Sequence, residues 1–364
     1  MVIGAKNIFR FQIKNHYLKL IFSVYFIWLL FVIFRDATDL TNYLGIKKFL
    51  FNSDGFGGLI YFVPLALFLP PSPVFLKKTF DVIIIFGFFY LLLSALFIKK
   101  LLISGDDAVS QELLELISSL SLPTGFLILT YIYHPNKKKV FAFAIIFITL
   151  LFAVYRARRG LTLLILSIIS FSYLMFLFET KKKHIIIYFS ILSLLLVMLY
   201  SNRMYKINDS RIFGALVERG TDDTRSNIEL LFYDDMKIND WIIGKGLNGE
   251  YFCPNIEENQ PTNFRNVIET GYLQIILKGG FISLGLLLLI LVPAFIKGIF
   301  FSKNMLSKGA GIWILLFLTA LYPRDPVHFD LSYLLVWISV GICYSKDIRN
   351  MTENKLRQYL QFES

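Results

Sequence analysis

Charge is scarce in this chain of 364 residues: Asp, Glu, Lys and Arg together make up 17% of it. A soluble domain carries about 25%, so an ordinary water-facing surface is excluded. Cysteine occurs twice and histidine four times, too few and too scattered for a disulfide scaffold or a Cys/His metal centre. Cys253 lies in a polar stretch and Cys343 in the last apolar run, so no disulfide between them is expected, and neither has the neighbours of a metal ligand. Segments of about ten residues alternating apolar and polar are missing, which excludes a membrane-spanning strand barrel. Acidic residues are outnumbered, 26 against 37 basic ones, for a net charge of +11. The basic residues form small clusters at the ends of apolar runs, a pattern that orients helices in a bilayer rather than one that binds nucleic acid.

In place of charge there is apolar length: 56% of residues are hydrophobic and 16% aromatic, and the mean hydropathy is +0.61. Runs of roughly 20 residues, enough for about 30 Å of hydrocarbon, recur along the chain. The expected fold is an all-α integral membrane protein, a polytopic helical bundle of about ten transmembrane helices with one large extracytoplasmic loop. The spans are expected near Leu18–Phe34, Gly57–Pro70, Phe80–Ile98, Leu113–Tyr133, Val140–Tyr155, Leu161–Phe178, Ile185–Tyr200, Gly280–Phe301, Gly311–Leu321 and Leu331–Tyr344. No small-residue cleavage site follows the first run, which therefore reads as an uncleaved span. Pro64 allows a kink in the short second span, because neighbouring helices can satisfy the freed carbonyl. Residues 1–200 then hold seven helices, 201–266 the loop, 267–345 three further helices, and 346–364 a tail.

Threading the spans alternately puts Lys14 and Lys19, Lys77 and Lys78, Lys137 to Lys139, Lys181 to Lys183, Lys297, Lys303 and Lys308, and Lys346 with Arg349 on one side. Excess Lys and Arg marks the cytoplasmic side, so both termini are expected in the cytoplasm and the protein in the cytoplasmic membrane. One cluster breaks the rule: Arg156, Arg158 and Arg159 fall between spans five and six on the opposite face. Arginine at a helix end often snorkels to headgroups, but guanidinium groups also hold phosphate oxygens in two-point geometry. Their position against the orienting rule favours an anion site.

The polar segment Ser201–Asn266 is long for a connection and so reads as functional. It carries Arg203, Arg211, Arg219, Arg225 and Arg265 among many acids. Thr224 is a candidate N-cap for a short helix with Ile228, Leu231 and Phe232 at helical spacing. Gly244-Lys245-Gly246 resembles a phosphate loop only superficially, since no strand of an α/β unit precedes it, and a glycine turn at positive φ is the simpler account. Glu269 opens the apolar run that follows. It is either a cap favoured by the helix dipole or a general base within reach of a sugar hydroxyl, and the sequence leaves both open. Tyr272 is either an interface anchor or a ring beside that carboxylate, since Glu269, Tyr272, Leu273 and Ile276 share one face if the helix starts at Glu269. Arg324, beside Asp325 and near His328 and Asp330, is a secondary candidate on the same face.

In order and topology the later two-thirds of the chain resembles the O-antigen ligase and polymerase superfamily. The pieces are Ala157-Arg158-Arg159-Gly160-Leu161, Arg225, Ile243-Gly244-Lys245-Gly246-Leu247, and the run from Glu269-Thr270-Gly271-Tyr272-Leu273 to Gly279-Gly280. The resemblance implies a metal-independent inverting glycosyltransferase of the multi-spanning C class, without cofactor, acting at the outer leaflet on a polyprenyl-diphosphate-linked glycan. Arg159 and Arg225 fall on arginines expected to hold the diphosphate; Arg156, Arg158 and Arg265 are expected to help stabilise the charge that builds on it, and Glu269 to deprotonate the acceptor hydroxyl. Glu269 falls where ligases usually carry histidine, a departure that favours polymerisation of repeat units for an O-antigen or capsule over ligation. Membrane lipid, a chain-length regulator and a flippase are the implied partners. A ligase, or a transporter of lipid-linked glycan, are the alternatives. A transporter would place ionisable residues mid-span, where this sequence has few.

Overall fold

The computed structural model describes residues 13–35, 42–50, 57–69, 71–102, 108–156, 158–179, 224–254, 263–325 and 327–361. In chain order the helices are α1 (His16–Arg35), α2 (Tyr43–Leu50), a 3-10 segment (Gly57–Phe68), α3 (Pro73–Leu96), α4 (Ile98–Leu101), α5 (Ala108–Ser121), α6 (Thr124–Leu129), α7 (Asn136–Tyr155), α8 (Arg159–Glu179), α9 (Thr224–Asp235) and α10 (Ile238–Ile243). A two-stranded antiparallel ladder follows, β1 (Tyr251–Phe252) with β2 (Phe264–Arg265), and then α11 (Gly271–Phe300), α12 (Met305–Ala320), α13 (Leu331–Tyr344), α14 (Lys346–Asn350) and α15 (Glu353–Gln361). The chain forms two compact units: Met1–Phe86 with Thr224–Ser364, and Gly87–Asp223. The expected seventh span, Ile185–Tyr200, and Arg203, Arg211 and Arg219 lie outside the described residues.

Among the described residues five helices are long and apolar enough to cross a bilayer: His16–Arg35, Pro73–Leu96, Asn136–Tyr155, Arg159–Leu177 and Gly271–Phe300. Four shorter apolar helices accompany them, Gly58–Phe68, Leu113–Leu129, Met305–Ala320 and Leu331–Tyr344. Large apolar side chains stand exposed along these helices, Leu20, Ile27, Phe34, Phe88 and Phe147 among them. In water such faces would drive aggregation; in lipid they need no cover. The chain is a helical, multi-pass membrane protein.

Three expected spans take other forms. The run around Pro64 is a 3-10 helix rather than a kinked α-helix; at about 2.0 Å per residue against 1.5 Å it reaches further for its length. The run Leu113–Tyr133 is interrupted at Leu122–Pro123, where the hydroxyl of Thr124 and the amide of Gly125 donate to Ser121 and Leu122 carbonyls. The eighth span begins earlier than expected, at Gly271, and is not continuous: Gly280 has φ 68° and ψ −176°.

In the first unit, α1 and α11 run antiparallel, the Tyr17 hydroxyl donating to the Leu289 carbonyl at 2.9 Å and the Trp28 indole to Gly279 at 3.1 Å. Phe22, Tyr25, Tyr333 and Trp337 form an aromatic core between α1 and α13. At one end of this unit, Lys14 pairs with Asp347, Arg349 donates to the Phe301 carbonyl, and the buried Asn304 side chain donates to Ile348 and Met351 carbonyls. The opposite end holds the polar residues considered below.

The break in α11 is built by close approach. A Cβ added at Gly280 would lie 2.0 Å from the Ile242 carbonyl oxygen, and one at Gly244, itself at φ +71°, would lie 2.5 Å from the Gly279 amide nitrogen. Only glycine takes these left-handed positions without a steric cost of roughly 1–2 kcal/mol. Gly280→Ala should therefore destabilise the protein by at least about 2 kcal/mol. Gly285→Ala, where nothing lies within 4 Å of the added carbon, should stay within about 0.5 kcal/mol of the parent. Thermal unfolding of the two variants in detergent checks the pair.

Candidate functional site

A helix broken at Gly280 leaves the carbonyls of the preceding turn without their usual amides. Three groups from elsewhere in the chain replace them. The Lys245 amide donates to Leu277 at 2.7 Å, the Gly246 amide to Lys278 at 2.9 Å, and the Trp28 indole to Gly279 at 3.1 Å and to the Ser283 hydroxyl at 2.9 Å. The Gly244-Lys245-Gly246 turn is thus a helix cap, and its amides point at protein rather than at a phosphate. The Lys245 ammonium is used as well, pairing with Asp235 and donating to the Glu250 carbonyl. Arg35, at the end of α1, donates to the Ile243 carbonyl at 3.2 Å and so holds the same turn from the other side. Nothing in the residues around Arg35 singles it out in the sequence.

Around this cap the described part of the polar segment folds into a layer with its own apolar centre: Phe232, Tyr251, Cys253, Ile268, Leu273 and Leu277 are buried together. Trp241 stacks between Tyr233 and Phe281, at 5.8 and 5.4 Å, and so ties the layer to the apolar stretch of α11. Cys253 is buried here and Cys343 in the helical core, both as free thiols.

The site residues expected from sequence in this first unit divide into two groups. Arg265 sits in β2 opposite Tyr251. Burial pushes the Tyr251 phenol up, Cys253 adds to the rise, Arg265 opposes it, and Glu269 adds a smaller rise, so both charges lie within electrostatic reach of that ring. Glu269 is exposed and precedes the helix; α11 starts at Gly271 with Thr270 as its N-cap. The helical face that would have set Tyr272 beside the carboxylate is therefore absent. The hydroxyl of buried Thr270 donates to Glu229, and Tyr272 is half-buried, its amide donating to the Leu321 carbonyl. Arg225 lies in the first turn of α9, with its side chain outside the described residues.

The second group surrounds the turn between α12 and α13. Arg324 is half-buried there and biases three neighbours, Asp325, His328 and Asp330. Asp325 was read from sequence only as the partner of Arg324. In the structure it lines a cavity of about 140 Å³ together with Gln274 and Lys278 of α11, His328, and the rings of Tyr61 and Tyr333. Its Oδ1 accepts the Val327 amide at 2.9 Å. Burial lifts its pKa from 3.8 to about 7, while that hydrogen bond, Arg324 and Lys278 pull the other way. Burial also raises Asp330 to about 6 despite its capping bond from Tyr333, and lowers His328 to about 4 with help from Arg324. Gln274 bridges the two groups: its Oε1 accepts the Ile268 amide and its Nε2 donates to the Asn266 carbonyl. Lys278 donates to the Gly249 carbonyl at 3.0 Å.

The arginine cluster belongs to the second unit. Arg156 closes α7 and is buried, Arg158 pairs with Glu115 at 3.1 Å, and Arg159 opens α8 with an exposed side chain. Among the described residues no three His, Cys, Asp or Glu side chains gather as a metal site would require. Compared with known protein families, with curated proteins and with solved structures, the chain matches none.

The raised Asp325 pKa carries a stability consequence. Below 3.8 the carboxyl is protonated whether the chain is folded or not; between 3.8 and about 7 only the folded state keeps the proton, so stability falls as pH rises through that window. His328, lowered to about 4 in the fold, acts in the opposite sense. Subtracting the pH dependence of the Asp325→Asn variant's Tm from that of the parent should isolate a term declining from about pH 4 to pH 7.

Proposed function

We propose that the protein is a membrane glycosyltransferase, a polymerase that joins glycan repeat units carried on polyprenyl diphosphate at the outer face of the cytoplasmic membrane. The observation that carries the reading is the capped break in α11. From Gly280 to Phe300 the helix is about 30 Å long at 1.5 Å per residue, enough to cross the hydrocarbon alone. The half-helix Gly271–Gly279 then stands at headgroup level with Lys278 and Gln274 on it, and with Asp325, His328 and Arg324 beside it. Ionisable groups at a bilayer boundary are costly and mark chemistry or passage, and headgroup level is where the diphosphate of a lipid-linked glycan resides.

The chemistry needs little else. The lipid diphosphate is the activated leaving group. Guanidinium groups stabilise the charge that grows on it; the resemblance offers Arg159 and Arg225 as holders, and Arg156, Arg158 and Arg265 are the other guanidinium groups proposed. A carboxylate takes the proton from the acceptor hydroxyl; Glu269, on the resemblance, and Asp325, in the cavity, are the two candidates. A second reading has its own support: discontinuous helices with polar groups at the break also build transport sites, so movement of a lipid-linked glycan is the rival. Ligation to a different acceptor is the third.

Deleting the gene and measuring the length of the lipid-linked glycan separates these readings. A missing polymerase leaves single repeat units exposed on the outer leaflet, a missing transporter leaves them on the inner leaflet, and a missing ligase leaves long lipid-linked chains. Complementation with Arg159→Ala or Arg225→Ala should lower polymer yield by about 10²–10³-fold, the cost of removing one charge-stabilising donor, with membrane insertion unchanged. Full-length polymer from both variants would remove the diphosphate assignment.

A further inference from the structure

We infer that the cavity between α11 and the α12–α13 turn is the acceptor subsite of this transferase, that it receives one sugar hydroxyl, and that Asp325 is the base that takes its proton. The inference rests on the transferase reading and deepens it by assigning the acceptor side, which the family resemblance would give to Glu269.

The two carboxylates differ in surroundings. Glu269 is an exposed side chain ahead of α11, where water competes for any proton and screens any charge. Asp325 faces a cavity whose other walls supply the features of a sugar site: Gln274 and His328 as hydrogen-bonding side chains, and the Tyr61 and Tyr333 rings as apolar faces. At about 140 Å³ the space is well below the roughly 300–1,000 Å³ that encloses a whole drug-sized ligand, so it suits the acceptor end of a glycan and not a lipid-linked oligosaccharide entire. Val327 holds one carboxylate oxygen by its amide, which fixes the orientation of the group.

The step balances without a cofactor. The acceptor O–H gives its proton to the Asp325 carboxylate, and the oxygen's electron pair forms the new bond to the anomeric carbon. The anomeric C–O bond to diphosphate breaks, and its electron pair leaves with the lipid diphosphate. The groups that bias Asp325 are Lys278 from α11 and Arg324 from its own turn, with His328 and the Tyr333 phenol also beside it. Burial sets its pKa at about 7, close to where a base works best at neutral pH. The rate should therefore fall on the acid side of neutrality.

The test uses the full-length protein in lipid nanodiscs, with the single-unit glycolipid extracted from the deletion host as donor and acceptor, and chain extension measured from pH 5 to pH 9. Asp325→Asn should lower the rate by about 10²–10⁴-fold and leave a residual rate with no acid limb. Asp325→Glu should restore part of the rate with the limb displaced, and Glu269→Gln should keep the limb where the parent has it. A displaced or missing limb in Glu269→Gln together with a parental profile in Asp325→Asn would overturn the assignment while leaving the transferase standing. If the parent protein extends no chains from this glycolipid, the transferase reading itself falls. Gel filtration of each variant confirms that the protein assayed is folded.

Discussion

A backbone carbonyl released by a break in a helix and buried in protein must find another donor, and leaving it unsatisfied costs about 1–3 kcal/mol. The carbonyls of Leu277, Lys278 and Gly279 are in that position because α11 breaks at Gly280. Their donors come from distant parts of the chain: two amides from the turn after α10 and one indole from α1. The break can persist only while the polar layer stays docked on the bundle. Conversely, the layer is placed by the bonds that close the break. Arg35 on Ile243 and Trp241 on Phe281 reinforce the same joint.

That joint accounts for the character of the site. The amides of Lys245 and Gly246 are occupied by helix carbonyls and the Lys245 ammonium by Asp235, so the glycine turn is architectural. What it delivers is the half-helix before Gly280, whose side chains Gln274 and Lys278 reach a cavity that a continuous helix would not require. Asp325 and His328 arrive from the α12–α13 turn to meet them. Burial then moves their proton affinities in opposite directions, raising the acid and lowering the imidazole. Both shifts favour neutral forms at the same place, the direction that loss of surrounding water gives to an acid and to a base.

Several features are legible in the residues themselves. Apolar runs such as Leu18–Phe34 and Val140–Tyr155 announced α1 and α7 to within a few positions, because hydrophobic length is a local property. The glycine turn was read rightly as a turn. Other features were not legible. Leu113–Tyr133 looks like one span, yet Pro123 interrupts it and side-chain and backbone donors repair the gap. Glu269 looked like the first helical residue, whereas the helix waits for Gly271. Asp325 looked like the neighbour of Arg324 and nothing more. Its importance comes from Lys278, which is 47 positions away in sequence and reaches it only through the fold.

Composition and hydrophobic run length alone determined that the chain crosses a membrane as helices, since scarcity of charge and abundance of long apolar stretches leave no other way to satisfy the backbone in lipid. Tertiary structure decided where a helix could stop being a helix and which side chains the interruption would gather. Those outcomes depend on donors supplied across the chain, and a hydrogen bond between Lys245 and Leu277, or a shared wall between Asp325 and Lys278, leaves no trace in the spacing of either residue's neighbours.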